Sequence, residues 1–402
     1  MKILQVNCVY NKGSTGKITK DIHNVLLEKN IDSVVCYGRG KLINNKGIYK
    51  ICWEGYSKFN QFLSRLTGIM YGGCYISTKK LINVIKRENP DVVHLHCING
   101  YFVNIYKLIS WLKENKINTV LTLHAEFMYT ANCGYAYDCN GWKIGCGNCK
   151  NFKSETKSLF LDNTKKSWEL MKKAFSGFDE NIHIISVSPW LMNRAKQSPI
   201  LCDKKHKVIY NGIDTNIFHV YDNLNLKTQH GIKNEKILFH ATPNFNNDID
   251  HVKGGYYILK LAQRLINSDI KIFVAGNYDT SLEIPKNVIL LGKITNQEKL
   301  AQYYSMADVT ILTSRRETYS MVTVESLCCG TPVVGFKAGG PECIAIKEYT
   351  SFVEHGNMEQ LTRRVRYFLD KKIDRKKISA ESKNIYSKES MVENYIKEYK
   401  SF

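Results

Sequence analysis

Short runs rich in Val, Ile and Leu recur along the chain, each bounded by glycine, asparagine or charged residues, with longer stretches of helical spacing between most of them. The first series is KILQVNC (2–8), DSVVCYG (32–38), DVVHLHC (91–97), NTVLTLH (118–124), HIISVS (183–188) and KVIYNGID (207–214). The second is KILFHA (236–241), IKIFVAG (270–276), VILLG (288–292), ADVTILTS (307–314) and TPVVGFK (331–337). Strands apolar on both faces, alternating with helices, belong to parallel sheets covered on both sides. The pattern therefore predicts an α/β chain of two doubly wound, Rossmann-like domains, divided near residues 213 and 214. Ligands of such sheets sit off the carboxyl ends of the strands, so two facing domains would form an interdomain cleft walled by strand-end loops.

Composition adds less than charge. At 402 residues the chain is long enough for two large domains, and no segment is biased enough to be disordered. The start, MKILQVNCVYN, lacks the long apolar core of a leader, so a cytoplasmic location is expected. The longest charge-free stretch, 92–106, is too short and too polar to span a bilayer. Thirteen cysteines, an odd number, argue against a disulfide framework in a reducing compartment. The net charge of +20 points to anionic partners. No nucleic-acid-binding motif is present, so the basic stretches at 165–173 and 363–377 are read as a face for an anionic membrane surface, in preference to a plain solvated face.

Several strand-end segments carry candidate chemistry. NKGSTGK (11–17), with Gly13 and Gly16, opens a helix and suits either phosphate contact or a tight turn. His124 in LTLHAEF is either a hydrogen-bonding or proton-shuttling group or a structural histidine, while His94 and His96 are read as packing residues. Lys253-Gly254 at a helix start suits a diphosphate or an ordinary turn. In SRRETYSMVTVESLCCGTPVV (314–334), Glu317 and Glu325 stand eight apart at a helix that follows a strand. Asp248 and Asp250 have the form of a divalent-ion site but sit in a polar loop, and no metal is expected there.

Taken together, the glycine loop, His124, VIYNGID, Lys253-Gly254, the Glu-x7-Glu run, GTPVV and GGPE (339–342) resemble a retaining glycosyltransferase of family 4 with the GT-B arrangement. DVVHLHCINGYFVNI and GWKIGCGNC are similar to the bacterial subgroup of colanic acid, capsular polysaccharide and O-antigen transferases. The resemblance implies an N-terminal acceptor-side domain over 1–213, rejoined by a C-terminal helix at 388–402, and a nucleotide-sugar-binding domain over 214–387. It implies that Glu325 binds the ribose, Glu317 holds donor-sugar hydroxyls, and the amides near Ser320 and Met321 hold the sugar or phosphates. Lys253 and Gly254 meet the diphosphate, Gly13 and Gly16 approach it, and His124 contacts donor or acceptor near the reacting centre. The expected donor is a UDP-sugar, then a GDP-sugar; the expected acceptor is a lipid-linked saccharide of undecaprenyl-diphosphate type at the inner membrane face. No catalytic cofactor is expected. The chain departs from the family pattern at Tyr319-Ser320, where Phe-Gly is usual, at Ala125, where Asp is common, and in lacking an arginine before Lys253; Arg315 or Arg316 is the candidate substitute. The alternative readings are a sugar-nucleotide epimerase of related fold or a non-catalytic subunit for assembly or docking.

Residues 133–149, CGYAYDCNGWKIGCGNC, remain. Cys133, Cys139, Cys146 and Cys149 follow the spacing C-x5-C-x6-C-x2-C, which suits a structural zinc or four reduced thiols packed in a loop. Either way the stretch reads as an insertion beside the chemistry.

Overall fold

A computed structural model describes residues 1–402. The chain divides into two compact units, Met1–Tyr210 with Met391–Phe402, and Asn211–Ser390. Each is a parallel sheet flanked by helices. The first unit holds β1 (Lys2–Val9), β2 (Asp32–Arg39), β3 (Ile48–Lys50), β4 (Val92–Leu95), β5 (Thr119–Leu123), β6 (Ile182–Ser186) and β7 (Lys205–Val208), in spatial order β3-β2-β1-β4-β5-β6-β7. The second holds β8 (Lys236–Phe245), β9 (Ile270–Tyr278), β10 (Val288–Gly292), β11 (Val309–Leu312), β12 (Val333–Phe336) and β13 (Thr350–Val353), in order β10-β9-β8-β11-β12-β13. Both are doubly wound, Rossmann-like sheets.

The order reverses between β1 and β4 in the first sheet and between β8 and β11 in the second. Helices leave to opposite faces at such a point and open a crevice at the carboxyl ends. The loops after β1, β4, β8 and β11 are therefore the ones that position a site.

The first core lies on the sheet face covered by α1 (Gly13–Glu28), whose Ile18, Ile22, Val25 and Leu26 meet Ile3, Val92 and Val120. The helix Lys388–Tyr399 packs into that same cluster through Met391, Val392, Tyr395 and Tyr399. The chain thus returns to the first unit after completing the second. Entry and exit are tied where Ile213 N–H donates to Tyr386 O at 2.8 Å and Lys388 N–H donates to Ile213 O at 2.9 Å. A Cβ at Gly212 would lie 2.6 Å from Lys388 Cα, so the glycine of VIYNGID is a close-approach residue. The second core gathers Leu238, Ile258, Leu261, Ile272, Val309, Ile311 and Val334 between β8, β9, β11, β12 and their helices.

Three strand expectations are corrected. The run at 207–214 is a strand only over Lys205–Val208, an edge strand whose side chains are alternately exposed and half-buried. β3 and β13, of three and four residues, are edge strands absent from the expected series. No helix is long and apolar enough to cross a membrane.

Candidate active site

In the second unit β8 and β11 end side by side, and the loops after them bring Lys253, Ser314 and Glu317 together. Lys253 Nζ lies 2.6 Å from Glu317 Oε1, which also accepts from Ser314 Oγ at 2.8 Å. Both ends of the ion pair are largely covered. Glu317 is fixed through its backbone, donating to Ala338 O at 3.0 Å and accepting from Gly340 N at 2.8 Å. Gly254 begins the helix Gly255–Arg264 at φ +67, and a Cβ there would lie 2.1 Å from Thr313 O. Only glycine lets the Lys253 loop lie this close to the end of β11.

The helix Met321–Cys328 starts just beyond. Its first amides have no partner within the helix, and the helix dipole favours an anion in front of them. Ser320 caps it, accepting from Thr323 N at 3.2 Å, and does so at φ +96. That is left-handed space where a glycine rests without strain. Ser320→Gly is therefore expected to leave the chain as stable or more stable, by on the order of 1 kcal/mol, because relief of strain exceeds the few tenths lost with the cap. Thermal denaturation checks it, a clear loss of stability being the contrary result. Tyr319, fully buried, donates to Asn211 O at 2.7 Å, a bond that phenylalanine cannot make.

Glu325 lies further along the same helix, on the wall of a cavity of about 320 Å³ at the carboxyl ends of β8 and β9. Ala241, Ala275, Ile294 and Val322 give it apolar sides. Tyr304 O–H donates to Glu325 Oε2 at 3.0 Å, and Lys293 adds a cation. Tyr304 and Lys293 were not singled out in the sequence, since neither stands in a motif. Arg315 donates its backbone N–H to Val252 O at 2.8 Å, and its guanidinium stands 3.8 Å from Asp250. Arg316 lies close enough that both arginines, after burial, hold the His355 imidazole below its usual range. Asp250 thus faces an arginine.

In the first unit Gly13, at φ +65, and Gly16 form the turn from β1 into α1, where Asn11 N–H donates to Gly16 O at 2.9 Å. His124, half-buried, follows β5 and is hydrogen-bonded to buried partners: Gln5 Oε1 lies 3.1 Å from His96 Nε2, and His96 Nδ1 lies 3.3 Å from His124 Nε2. With the Gln5 oxygen accepting, His96 Nδ1 must accept in turn. His124 Nε2 is then the donor of that pair. His94 bonds Tyr399 at 2.7 Å and Thr122 at 2.8 Å, so it is a packing residue.

Burial pushes His124 down to about 4 and holds His94 and His96 well below their usual range. Near neutral pH His124 is therefore held in its neutral form. Unfolded histidine titrates near 6.5, so as pH falls below about 6.5 the unfolded chain takes up protons that the folded chain refuses until about 4. Stability should be full above about pH 6.5 and fall steadily below it. Denaturant midpoints between about pH 8 and about pH 5 check the sign.

The loop after His124 is anchored by Glu126, fully buried, whose carboxylate accepts from Tyr129 Oη, from Ala136 N at 2.6 Å and from Arg194 Nε. Glu126 stands in no sequence motif, and only the fold brings Arg194 to it. Beyond it, Trp142 Nε1 donates to Cys139 O at 2.8 Å and Trp168 Nε1 to Trp142 O at 2.9 Å, so this loop has an aromatic core. Cys133, Cys139, Cys146 and Cys149 are free thiols. Burial, and then the charge of Glu155 and of the other three thiols, push Cys133 up. No three His, Cys, Asp or Glu side chains are grouped so as to hold a metal ion. In this arrangement the four thiols do not form a cage.

Two family models match: glycosyltransferase family 4 over residues 66–217 and glycosyl transferases group 1 over residues 226–385. The chain is 26% identical over 277 residues to the N-acetyl-alpha-D-glucosaminyl L-malate synthase of Bacillus anthracis, covering 66% of this chain and 61% of that relative, less than two thirds of its length. It is 20% identical, over the whole of both chains, to the putative colanic acid biosynthesis glycosyl transferase WcaC of Escherichia coli K12. Among solved structures, Anabaena Alr3699/HepE in complex with UDP-glucose superposes with a TM-score of 0.67 over 100% of both chains at 14% identity, a likeness of fold. With family matches in both of its doubly wound units, this chain belongs to the family 4 glycosyltransferases and has the GT-B fold.

Proposed function

We propose that this chain is a retaining hexosyltransferase, moving a sugar from a nucleoside-diphosphate donor to a lipid-linked saccharide of undecaprenyl-diphosphate type during assembly of an extracellular polysaccharide, capsule or O-antigen. A UDP-sugar is the first candidate donor and a GDP-sugar the second. The observation that carries this reading is the succession in the second unit of an apolar-walled cavity ending on Glu325, a helix N-terminus, and the Lys253–Glu317–Ser314 group. Base and ribose suit the cavity, with Glu325 accepting from ribose hydroxyls. The diphosphate suits the helix amides and the Lys253 ammonium. Glu317 aims that ammonium and takes sugar hydroxyls. The colanic acid relative and the UDP-glucose complex of the structural neighbour support the substrate class.

In the proposed step the acceptor oxygen bonds to the anomeric carbon on the face that the diphosphate leaves. The carbon–oxygen bond to phosphate breaks, and the acceptor proton passes to the departing phosphate oxygen. The charge that develops on the diphosphate is met by Lys253 and the amides, so no metal is required for it. His124, neutral, contacts the donor sugar or the acceptor near the reacting centre, and the Gly13–Gly16 turn offers amides to phosphate. Assay of turnover over a panel of nucleotide sugars with a lipid-linked acceptor, with the anomeric configuration of the product read by NMR, tests the reading. Sugar transfer with retention supports it; inversion, or consumption of donor by epimerisation alone, overturns it.

Two further proposals accompany it. The enzyme works at the inner face of the plasma membrane, held by contact with anionic lipid. The cysteine loop takes up a structural zinc, for which the four Sγ atoms would have to turn toward one point from their present places. Metal analysis of protein purified without chelator is expected to find about one zinc per chain; a metal-free, fully folded chain is the contrary result.

A further inference from the structure

In the first unit, α2 (Glu54–Thr67) is turned inside out. It buries Ser57, Asn60 and Ser64, while Phe59, Phe62 and Leu63 are 57%, 52% and 38% exposed. A helix with apolar residues at this spacing ordinarily gives them to the core. Here the polar side chains are the ones with fixed partners within the protein: Asn60 Oδ1 accepts from Cys74 N at 2.7 Å, and Ser64 Oγ donates to Ile69 O at 2.7 Å. The helix cannot rotate its phenylalanines inward without breaking these bonds.

The exposed face extends beyond the helix. Tyr75 and Ile76, 59% and 60% exposed, open α3 (Tyr75–Glu88) and are joined to α2 where Ile76 N–H donates to Tyr56 Oη at 3.2 Å. Trp53, also exposed, packs its ring against Tyr56. At the other end Leu159 N–H donates to Arg65 O at 2.8 Å, which sets exposed Phe160 and Leu161 beside the last turn. A cavity of about 220 Å³, lined by Leu63, Ile69, Tyr71 and Tyr101 among others, adjoins the stripe. A contiguous aromatic surface of this kind marks a docking site.

Its rim is cationic. Lys58, Arg65, Lys157, Lys165 and Lys166 are exposed around it, and Asn163 Nδ2 donates to Thr67 O at 2.7 Å, tying the lysine-bearing helix Thr164–Phe175 to the end of α2. The nearby acids are turned to protein partners: Glu54 to Gly40 N and Arg39, Asp162 to Cys149 N and Thr164. Aromatic side chains ringed by lysines match the interfacial layer of an anionic bilayer, where rings sit at headgroup depth and ammonium groups meet lipid phosphate. A second copy of the chain fits poorly, since pairing would set two such rims against each other on a chain of net charge +20.

We propose that the outward face of α2, with Trp53, Tyr75, Ile76, Phe160 and Leu161, is an insertion surface for the interfacial layer of an anionic phospholipid bilayer. This rests on the membrane-facing role proposed above and names the surface that performs it. It differs from contact through basic helices alone, because insertion survives salt that screens surface charge.

The test is co-sedimentation of the full chain with phosphatidylglycerol-containing vesicles at low and high salt, comparing wild type with Phe59→Ser/Phe62→Ser. Both side chains are exposed, so the variant should fold, and its donor hydrolysis in solution should be unchanged. The expected result is salt-resistant binding by wild type and a loss of at least about tenfold in partition for the variant. Wild-type binding that the variant matches, or that high salt abolishes, overturns the insertion surface and leaves the membrane role standing. Absence of vesicle binding by wild type overturns both. Dimerisation in solution that the variant abolishes, without vesicle binding, assigns the face to a second copy and likewise overturns the proposal.

Discussion

Replacing Lys253 by alanine is expected to slow glycosyl transfer by about a hundred- to a thousand-fold, the usual loss when one fixed charge-stabilising group is taken from a transition state. Lys253 Nζ is held 2.6 Å from Glu317 and sits beside Gly254, whose close packing on Thr313 fixes the loop. The side chain is partly exposed, so the fold should survive and the loss should fall on turnover. Lys253→Arg should recover part of it, since the charge returns without the compact ammonium geometry. Initial rates of nucleoside diphosphate release with donor and acceptor saturating measure both. A Lys253→Ala enzyme within a few-fold of wild type would mean that the leaving group is stabilised elsewhere.

Replacing Glu126 by alanine is expected to cost about 3–5 kcal/mol, because it strands the Arg194 guanidinium and two other donors in a covered site. Glu126 is fully buried and joins Tyr129, Ala136 N and Arg194, three segments of the first unit. In a domain of this size the melting temperature should fall by on the order of 10 °C. Glu126→Ala/Arg194→Met should recover much of the loss, as both charges then leave together. Calorimetry of the three proteins checks it, and a near-neutral Glu126→Ala would show that the loop is held by its aromatic core alone.

The strands with Val and Ile on both faces were legible because they sit in the middle of covered sheets, as KILQVNC and IKIFVAG do. KHKV at β7 was not, since an edge strand takes its conformation from β6 and alternates exposed positions. Lys253, Glu317 and Glu325 were legible as a set only through resemblance. What joins them is long-range: Lys253 reaches Glu317 across 64 residues, and Glu325 meets Tyr304 across 21. The same holds for Glu126 and Arg194, 68 apart. The outward stripe of α2 inverts the ordinary inference from spacing, because what decides which face goes in is whether Asn60 and Ser64 find partners. Ser320 shows the converse: a departure from the family pattern visible in sequence has its physical content, a positive φ, only in the fold.

The central claim is that the second unit holds the nucleoside diphosphate of the donor against Glu325. Calorimetric titration of UDP and UDP-sugars into wild type and Glu325→Gln tests it most directly. Binding by wild type, weakened about tenfold or more in the variant, is the predicted result; equal affinity in the two proteins would contradict it.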